Sequence, residues 1–306
     1  MREELNELMD SAIKTLVTVE DWLRFGASQF EAANLFYGHG ADNAWSEAAQ
    51  LILPVLHLAP DYLTDILPCR LLPSEKQQIA EFFTQRILQR IPAAYLTHEA
   101  WFAGIRFYVD SRVLVPRSPI AELIEQRFTP WLDNVDVLSI VDIGTGSGCI
   151  ACALAHYFPE AHVTGIDISA DALAVAEKNV LEQGLMERVQ LIQSDLFAGV
   201  PADKKYDLIV SNPPYVDKPA MDALPAEYLA EPQLGLAAGS DGLDIVIPLL
   251  EQAAERLNPG GILVVEVGYS QAALEARFPE IPFLWVDFQR GGQGVFLLIA
   301  EQLGIV

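Results

Sequence analysis

Hydrophobic positions repeat with two different periods along this chain. Up to about residue 95 they return every three or four residues, in Trp22, Leu23, Phe25 and Phe30 and again in Trp45, Ala48, Ala49 and Ile52, the stripe of an amphipathic helix. Asp42 or Asn43 stands where it caps the second stretch. Ser74 with Gln77 reads as a capping box for a helix carrying Ile79, Phe82, Phe83, Ile87 and Leu88, ended by Pro92. Over 95–115 the period shortens around Trp101, Phe102, Phe107, Tyr108 and Val109, with Gly104 at the turn, which predicts a β-hairpin. A helix over 119–128 follows. Beyond it come short, nearly unbroken apolar runs at 137–143, 162–168, 189–195, 206–211, 262–267, 283–288 and 295–300, several of them separated by helical stretches. Continuous runs of this length suit strands buried on both faces, and their alternation with helices predicts an α/β fold with a Rossmann-like, doubly wound sheet. The short link over 291–294 makes an antiparallel hairpin at the sheet edge. Residues 216–240, rich in Pro and Gly, form a long insertion too polar for core. The expected organisation is a helical domain over 1–94, a hairpin linker over 95–117 and an α/β catalytic domain over 118–306.

Chemistry gathers where the strands end. After the first strand comes Gly144-Thr145-Gly146-Ser147-Gly148 and then a helix. The glycines let backbone approach a ligand at a helix N-terminus, but the spacing is G-x-G-x-G without a following Gly-Lys-Ser/Thr, which argues against a dinucleotide and against a P-loop. Asp142, just before the loop, repels a pyrophosphate and favours a cation. S-adenosyl-L-methionine, with a sulfonium, an ammonium and no phosphate, is the cofactor this arrangement predicts. The second strand ends in Asp167-Ile168, an acid placed for ribose hydroxyls. The third ends in Asp195, beside Leu196 and Phe197, which suit an adenine slot.

The fourth strand runs into Asn212-Pro213-Pro214-Tyr215. Asn212 offers a side-chain carbonyl and Pro213 a backbone carbonyl, while proline supplies no N–H, so the segment is rich in acceptors. Two converging acceptors hold both hydrogens of a planar –NH2 group, such as a glutamine amide or the exocyclic amine of adenine. Tyr215 is expected to lay its ring on the flat substrate.

Charge narrows the partners. With 19 basic against 42 acidic residues the net charge is −23, no Lys/Arg cluster marks a nucleic-acid footprint, and no direct nucleic-acid binding is expected. No apolar run approaches the roughly 20 residues of a membrane span, and a cytoplasmic location is expected. Three cysteines cannot build a disulfide framework; Cys149 and Cys152 form a C-x-x-C at a helix start, read as packing against the sheet. No metal site is expected.

From Pro92 onward the chain resembles the HemK-like protein glutamine N5-methyltransferases, through Pro92-Ala93-Ala94-Tyr95-Leu96, Val113-Leu114-Val115-Pro116-Arg117, Asp142 with its glycine loop, Asp167, Asp195, Asn212–Tyr215, and Glu231-Pro232 leading to Gly239-Ser240-Asp241-Gly242-Leu243. The resemblance implies a helical substrate-recognition domain, a hairpin linker and a class I methyltransferase domain whose Asn-Pro-Pro-Tyr holds the target amide. Members acting on peptide release factors carry an acidic run after Pro-Arg. Here Ser118-Pro119-Ile120 follows, and Thr97-His98-Glu99 replaces the glycine such enzymes tend to have after Leu-Thr. Both departures, and the stretch from Phe36 to Trp45, resemble the branch that methylates a glutamine of large-subunit ribosomal protein L3 (uL3), a basic protein that suits an acidic enzyme. Release factors remain the alternative substrate. An adenine-N6 nucleic-acid methyltransferase and a scaffold without catalysis are the competing classes.

Overall fold

The computed structural model describes residues 2–304. It divides into two compact units. One comprises 1–100 with 109–111 and 225–230, and the other comprises 101–108, 112–224 and 231–306. These units do not coincide with the three consecutive segments expected, because the insertion over 216–240 contributes Pro225–Ala230 to the helical unit.

Helices over Arg2–Thr15, Val19–Ala32, Ala44–Ile52 and Pro73–Gln89 build the helical unit. Trp22, Phe30 and Phe83 are its fully buried aromatic centre, and Gly26 passes so close to the Phe83 ring that a Cβ there would lie 2.6 Å away. Asn43 caps its helix by accepting from the Ser46 N–H at 2.9 Å, whereas the expected Ser74–Gln77 box does not form. That helix starts at Pro73 instead, and Glu75 reaches back to the Leu72 N–H, since proline at the first helical position needs no partner for an N–H it lacks. Trp45, expected in the core, is 40% exposed. Polarity also misled for the insertion. Glu227 is buried and accepts from the Phe36 N–H at 3.1 Å and from the buried Arg86, which also pairs with Glu47. Charges are tolerated here because each is paired and hydrogen-bonded.

The second unit holds a seven-stranded sheet. Strands β1 (Glu99–Phe102) and β2 (Ile105–Tyr108) form the separate two-stranded hairpin. The large sheet comprises β3 (Ser139–Ile143), β4 (His162–Asp167), β5 (Val189–Gln193), β6 (Tyr206–Ser211), β7 (Leu257–Glu266), β8 (Leu284–Trp285) and β9 (Val295–Ile299), ordered β5-β4-β3-β6-β7-β9-β8. All neighbours are parallel except β9, which runs antiparallel to β7 and β8. This is the class I methyltransferase fold. Strand β8 keeps only two of the six residues its apolar run suggested, as expected of a sheet edge. Strand order reverses between β3 and β6, and a ligand crevice belongs beyond the strand ends at that point.

Candidate active site

Register places the two motifs side by side. Ile143 of β3 pairs with Ser211 of β6, and the Ser211 hydroxyl donates to the Ile143 carbonyl at 2.8 Å. The glycine loop and the Asn-Pro-Pro-Tyr segment therefore leave the sheet as neighbours. One cavity of about 230 Å³ takes its wall from Gly144, Thr145, Gly146 and Ser147, from Asp167 and Ile168, from Asp195 and Leu196, and from Asn212, Pro213 and Pro214.

The loop's amides are already committed. Gly144 and Thr145 donate to the Ile166 carbonyl at 2.8 and 2.9 Å, Gly146 to Asp167 Oδ2 at 2.9 Å, and Gly148 to the Thr145 carbonyl at 2.8 Å. A phosphate-binding loop turns its N–H groups toward the ligand; this one spends these four on protein acceptors, so its chemistry fits a ligand without phosphate. An acid at the rim and apolar side chains at Ile168 and Leu196 suit a ribose and a flat base, so the donor set fits S-adenosylmethionine.

The methyltransferase small domain family matches residues 127–232. Across almost its whole length the chain is similar to the ribosomal protein uL3 glutamine methyltransferase of Neisseria gonorrhoeae, 48% identical over 97% of this chain and 99% of that protein. The protein of the same description from Xanthomonas campestris is 49% identical over 96% of this chain and 94% of its own. The chain belongs to the uL3 glutamine methyltransferase family. A solved ribosomal protein L11 methylase from Lactobacillus delbrueckii is 26% identical with a TM-score of 0.41, covering 59% of this chain and 75% of that one.

Four residues expected at this family member's site do not line the cavity. Asp142 is fully buried, and its Oδ2 accepts from the Thr145 hydroxyl at 2.6 Å and the Ala151 N–H at 3.1 Å, fastening the loop to the following helix, Cys149–Tyr157. Its Oδ1 has no hydrogen-bond partner among the described residues. Burial pushes its carboxyl up to about 7, and the nearby Asp167 adds to the rise. Gly148 faces the helix over Ala170–Glu182, where a Cβ would meet that of Ala176 at 3.1 Å, so its role is helix packing. Tyr215 points away from the cavity and donates from its hydroxyl to Glu266 at 2.9 Å. Phe197, expected in the adenine slot, is buried in the core near Tyr206.

Sequence reasoning gave no site role to several further lining residues, Phe102, Arg112, Leu114, Arg117, Pro232 and Leu234, although three of them fall in the family motifs. Two polar side chains hold these pieces. Asn179 donates to the carbonyls of Tyr108 and Ser147 at 2.9 and 2.8 Å and accepts from the Tyr108 N–H, tying the hairpin to the glycine loop. Glu231 receives Arg117 through both terminal nitrogens, at 2.6 and 2.8 Å, and the Val115 N–H at 3.0 Å. Glu231-Pro232 entered the sequence reading only through family resemblance; an isolated Glu in a polar insertion carries no local sign of burial.

Cys149 and Cys152 are buried in the helix against the sheet, and burial pushes the Cys149 thiol up to about 12. Among the described residues no cluster of His, Cys, Asp or Glu is arranged to hold a metal ion, and no helix is long and apolar enough to cross a membrane.

Proposed function

We propose that this protein transfers a methyl group from S-adenosyl-L-methionine to the side-chain amide nitrogen of a glutamine in ribosomal protein uL3, giving N5-methylglutamine and S-adenosylhomocysteine. The observation carrying this reading is the shared cavity, which Asn212 and Pro213 line together with a glycine loop that gives four of its amides to protein acceptors. The bound cofactor supplies an electrophilic methyl group. The chain's own residues supply orientation. The Asn212 side-chain oxygen and the Pro213 carbonyl take the two amide hydrogens, which favours pyramidal nitrogen and turns its lone pair toward the methyl group. The same oxygens stabilise positive charge growing on that nitrogen. Transfer is direct, without a covalent intermediate on the protein, and the proton leaves to water.

Asp167 keeps lone pairs for ribose hydroxyls beyond those that receive Gly146 and Ser169. Ile168 and Leu196 flank the adenine, and Asp195 stands exposed at the rim. The helical segment over 1–94 serves as the substrate-recognition part, and a net charge of −23 suits a basic ribosomal protein. A cytoplasmic location goes with such a substrate. Incubation with methyl-labelled cofactor, uL3 and ribosomal RNA tests the reading. Label on one uL3 glutamine, located by mass spectrometry, is the expected result; label in RNA, or none in uL3, overturns it.

A further inference from the structure

Glu266 is the last residue of β7 and is 5% exposed. Each of its two oxygens accepts a hydrogen bond from a different hydroxyl, Oε2 from Ser118 and Oε1 from Tyr215. Burial raises its pKa, and the two hydroxyls and the charge of Arg117 pull it back down. An acid that only filled space here would cost more than an apolar side chain of the same size. The two residues it grips belong to the stretches that form the acceptor side of the cavity, because Ser118 lines the cavity and Tyr215 ends the Asn-Pro-Pro-Tyr segment.

Tyr215 is held elsewhere as well. Its carbonyl accepts from the Ser270 hydroxyl at 3.0 Å. Its ring lies against Gly268, where a Cβ would stand 2.6 Å from Cε2, and a Cβ on Gly242 would come within 2.3 Å of its carbonyl oxygen. Both glycines have positive φ, at 48° and 78°, so backbone and space together exclude a side chain. Tyr215 is thus a fixed post, and Asn212 and Pro213 are attached to it by the stiff Pro213-Pro214 pair.

We propose that Glu266 is a positioning residue for methyl transfer: it orients the acceptor pair Asn212 and Pro213 by holding Tyr215 and Ser118 at fixed distance, without touching substrate or cofactor. The proposal rests on the function proposed above. Displacements of about 1 Å in such acceptors are enough to lower turnover strongly while leaving a separately anchored cofactor half intact.

The test compares Glu266→Gln, Tyr215→Phe and their double variant with the wild-type protein. Wild type and variants are assayed on uL3 with labelled cofactor, cofactor affinity is measured by calorimetry, and amide exchange is followed by mass spectrometry without substrate. Each single variant is expected to lower kcat about 10- to 100-fold, with cofactor Kd changed by less than about threefold. The double variant should be less damaging than the product of the two single effects, because both residues act through the same Glu266–Tyr215 contact. Exchange over 215–218 should speed up at least about tenfold, while peptides over 140–150 stay unchanged. If Glu266→Gln does not fold, Tyr215→Phe alone carries the test. Wild-type exchange over 215–218 overturns the proposal, as does wild-type kcat in Tyr215→Phe. Equal loss of cofactor affinity and kcat also overturns it, since that marks a merely structural role. Lack of wild-type methylation on uL3 counts against the substrate reading, and the exchange data then still decide the role of Glu266.

Discussion

The cofactor half of the cavity is made from turns that follow directly on β3, β4 and β5, whereas the acceptor half is assembled from 112–118, 212–214 and 232–237, with 266–270 behind them. In the first half, backbone groups of consecutive turns bond one another, and the carboxylates of Asp142 and Asp167 reach no further than 21 residues along the chain. In the second, single side chains span long separations. Glu231 holds Arg117 across 114 residues and Glu266 holds Ser118 across 148. A site can thus pair a locally determined cofactor cradle with an acceptor wall that depends on a few buried carboxylates. The two halves should respond to mutation independently.

The sharpest break in that comparison is expected at Asn212. Asn212→Ala should lower kcat about 10³-fold, some 4 kcal/mol of transition-state stabilisation, because a preorganised acceptor is lost. Cofactor affinity should stay within about threefold of wild type. Single-turnover assays with calorimetry check both numbers, and near-normal turnover would remove Asn212 from the reaction. Next in size is Arg117→Met, which removes the two-pronged guanidinium contact from the fully buried Glu231 carboxylate. A loss of about 3 kcal/mol in chemical denaturation is expected, since removing one partner of a buried ion pair costs far more than removing one at the surface. A change within about 0.5 kcal/mol would mean that the pair behaves like a surface ion pair.

The third test addresses the cofactor half. Asp167→Ala removes a charged acceptor and also releases the Gly146 and Ser169 N–H groups it holds. Affinity for S-adenosylmethionine should fall by about 2 kcal/mol, roughly 30-fold, while kcat at saturating cofactor changes much less. If kcat falls as far as affinity does, the halves are coupled and the comparison fails.

This division also explains what could be read in the sequence. That Gly144–Ser147, Asp167 with Ile168, and Asp195 with Leu196 would line one cavity was legible because each lies at the end of its own strand, and strand ends announce themselves in the hydrophobic pattern. Asn212–Pro214 was legible for the same reason. The position of Tyr215 outside the cavity lining was not legible because ring stacking was inferred from residue type, while the glycines it packs against, Gly242 and Gly268, lie 27 and 53 residues further on. Asp142 was placed at the ligand by proximity to the loop, although a residue inside a strand buried on both faces turns its side chain into the protein. The burial of Glu227 and Glu231 had no local signal, because their partners Arg86 and Arg117 are remote in sequence.

The smallest expected effect belongs to Asp142, which supports the cofactor half from within. Its carboxyl is raised by burial to about 7, so in the unliganded protein the neutral form is favoured through the mildly acidic range. The stability this contributes is fully present below about pH 4, where the unfolded chain is also protonated, and is lost as pH rises through about 7. A cation bound in the adjoining cavity reverses the preference, because it stabilises the ionised carboxylate. Affinity for S-adenosylmethionine should therefore increase between pH 6 and 8 by up to about tenfold, as the protein stops spending binding energy to expel a proton. Asp142→Asn cannot ionise and should flatten both trends, losing the pH dependence of affinity and gaining unliganded stability relative to wild type as pH rises. Calorimetry in buffers of different ionisation enthalpy reads the expelled proton directly. Equal proton release by wild type and Asp142→Asn at pH 6.5 would assign the titration to another group, with the raised Asp167 as the first to examine.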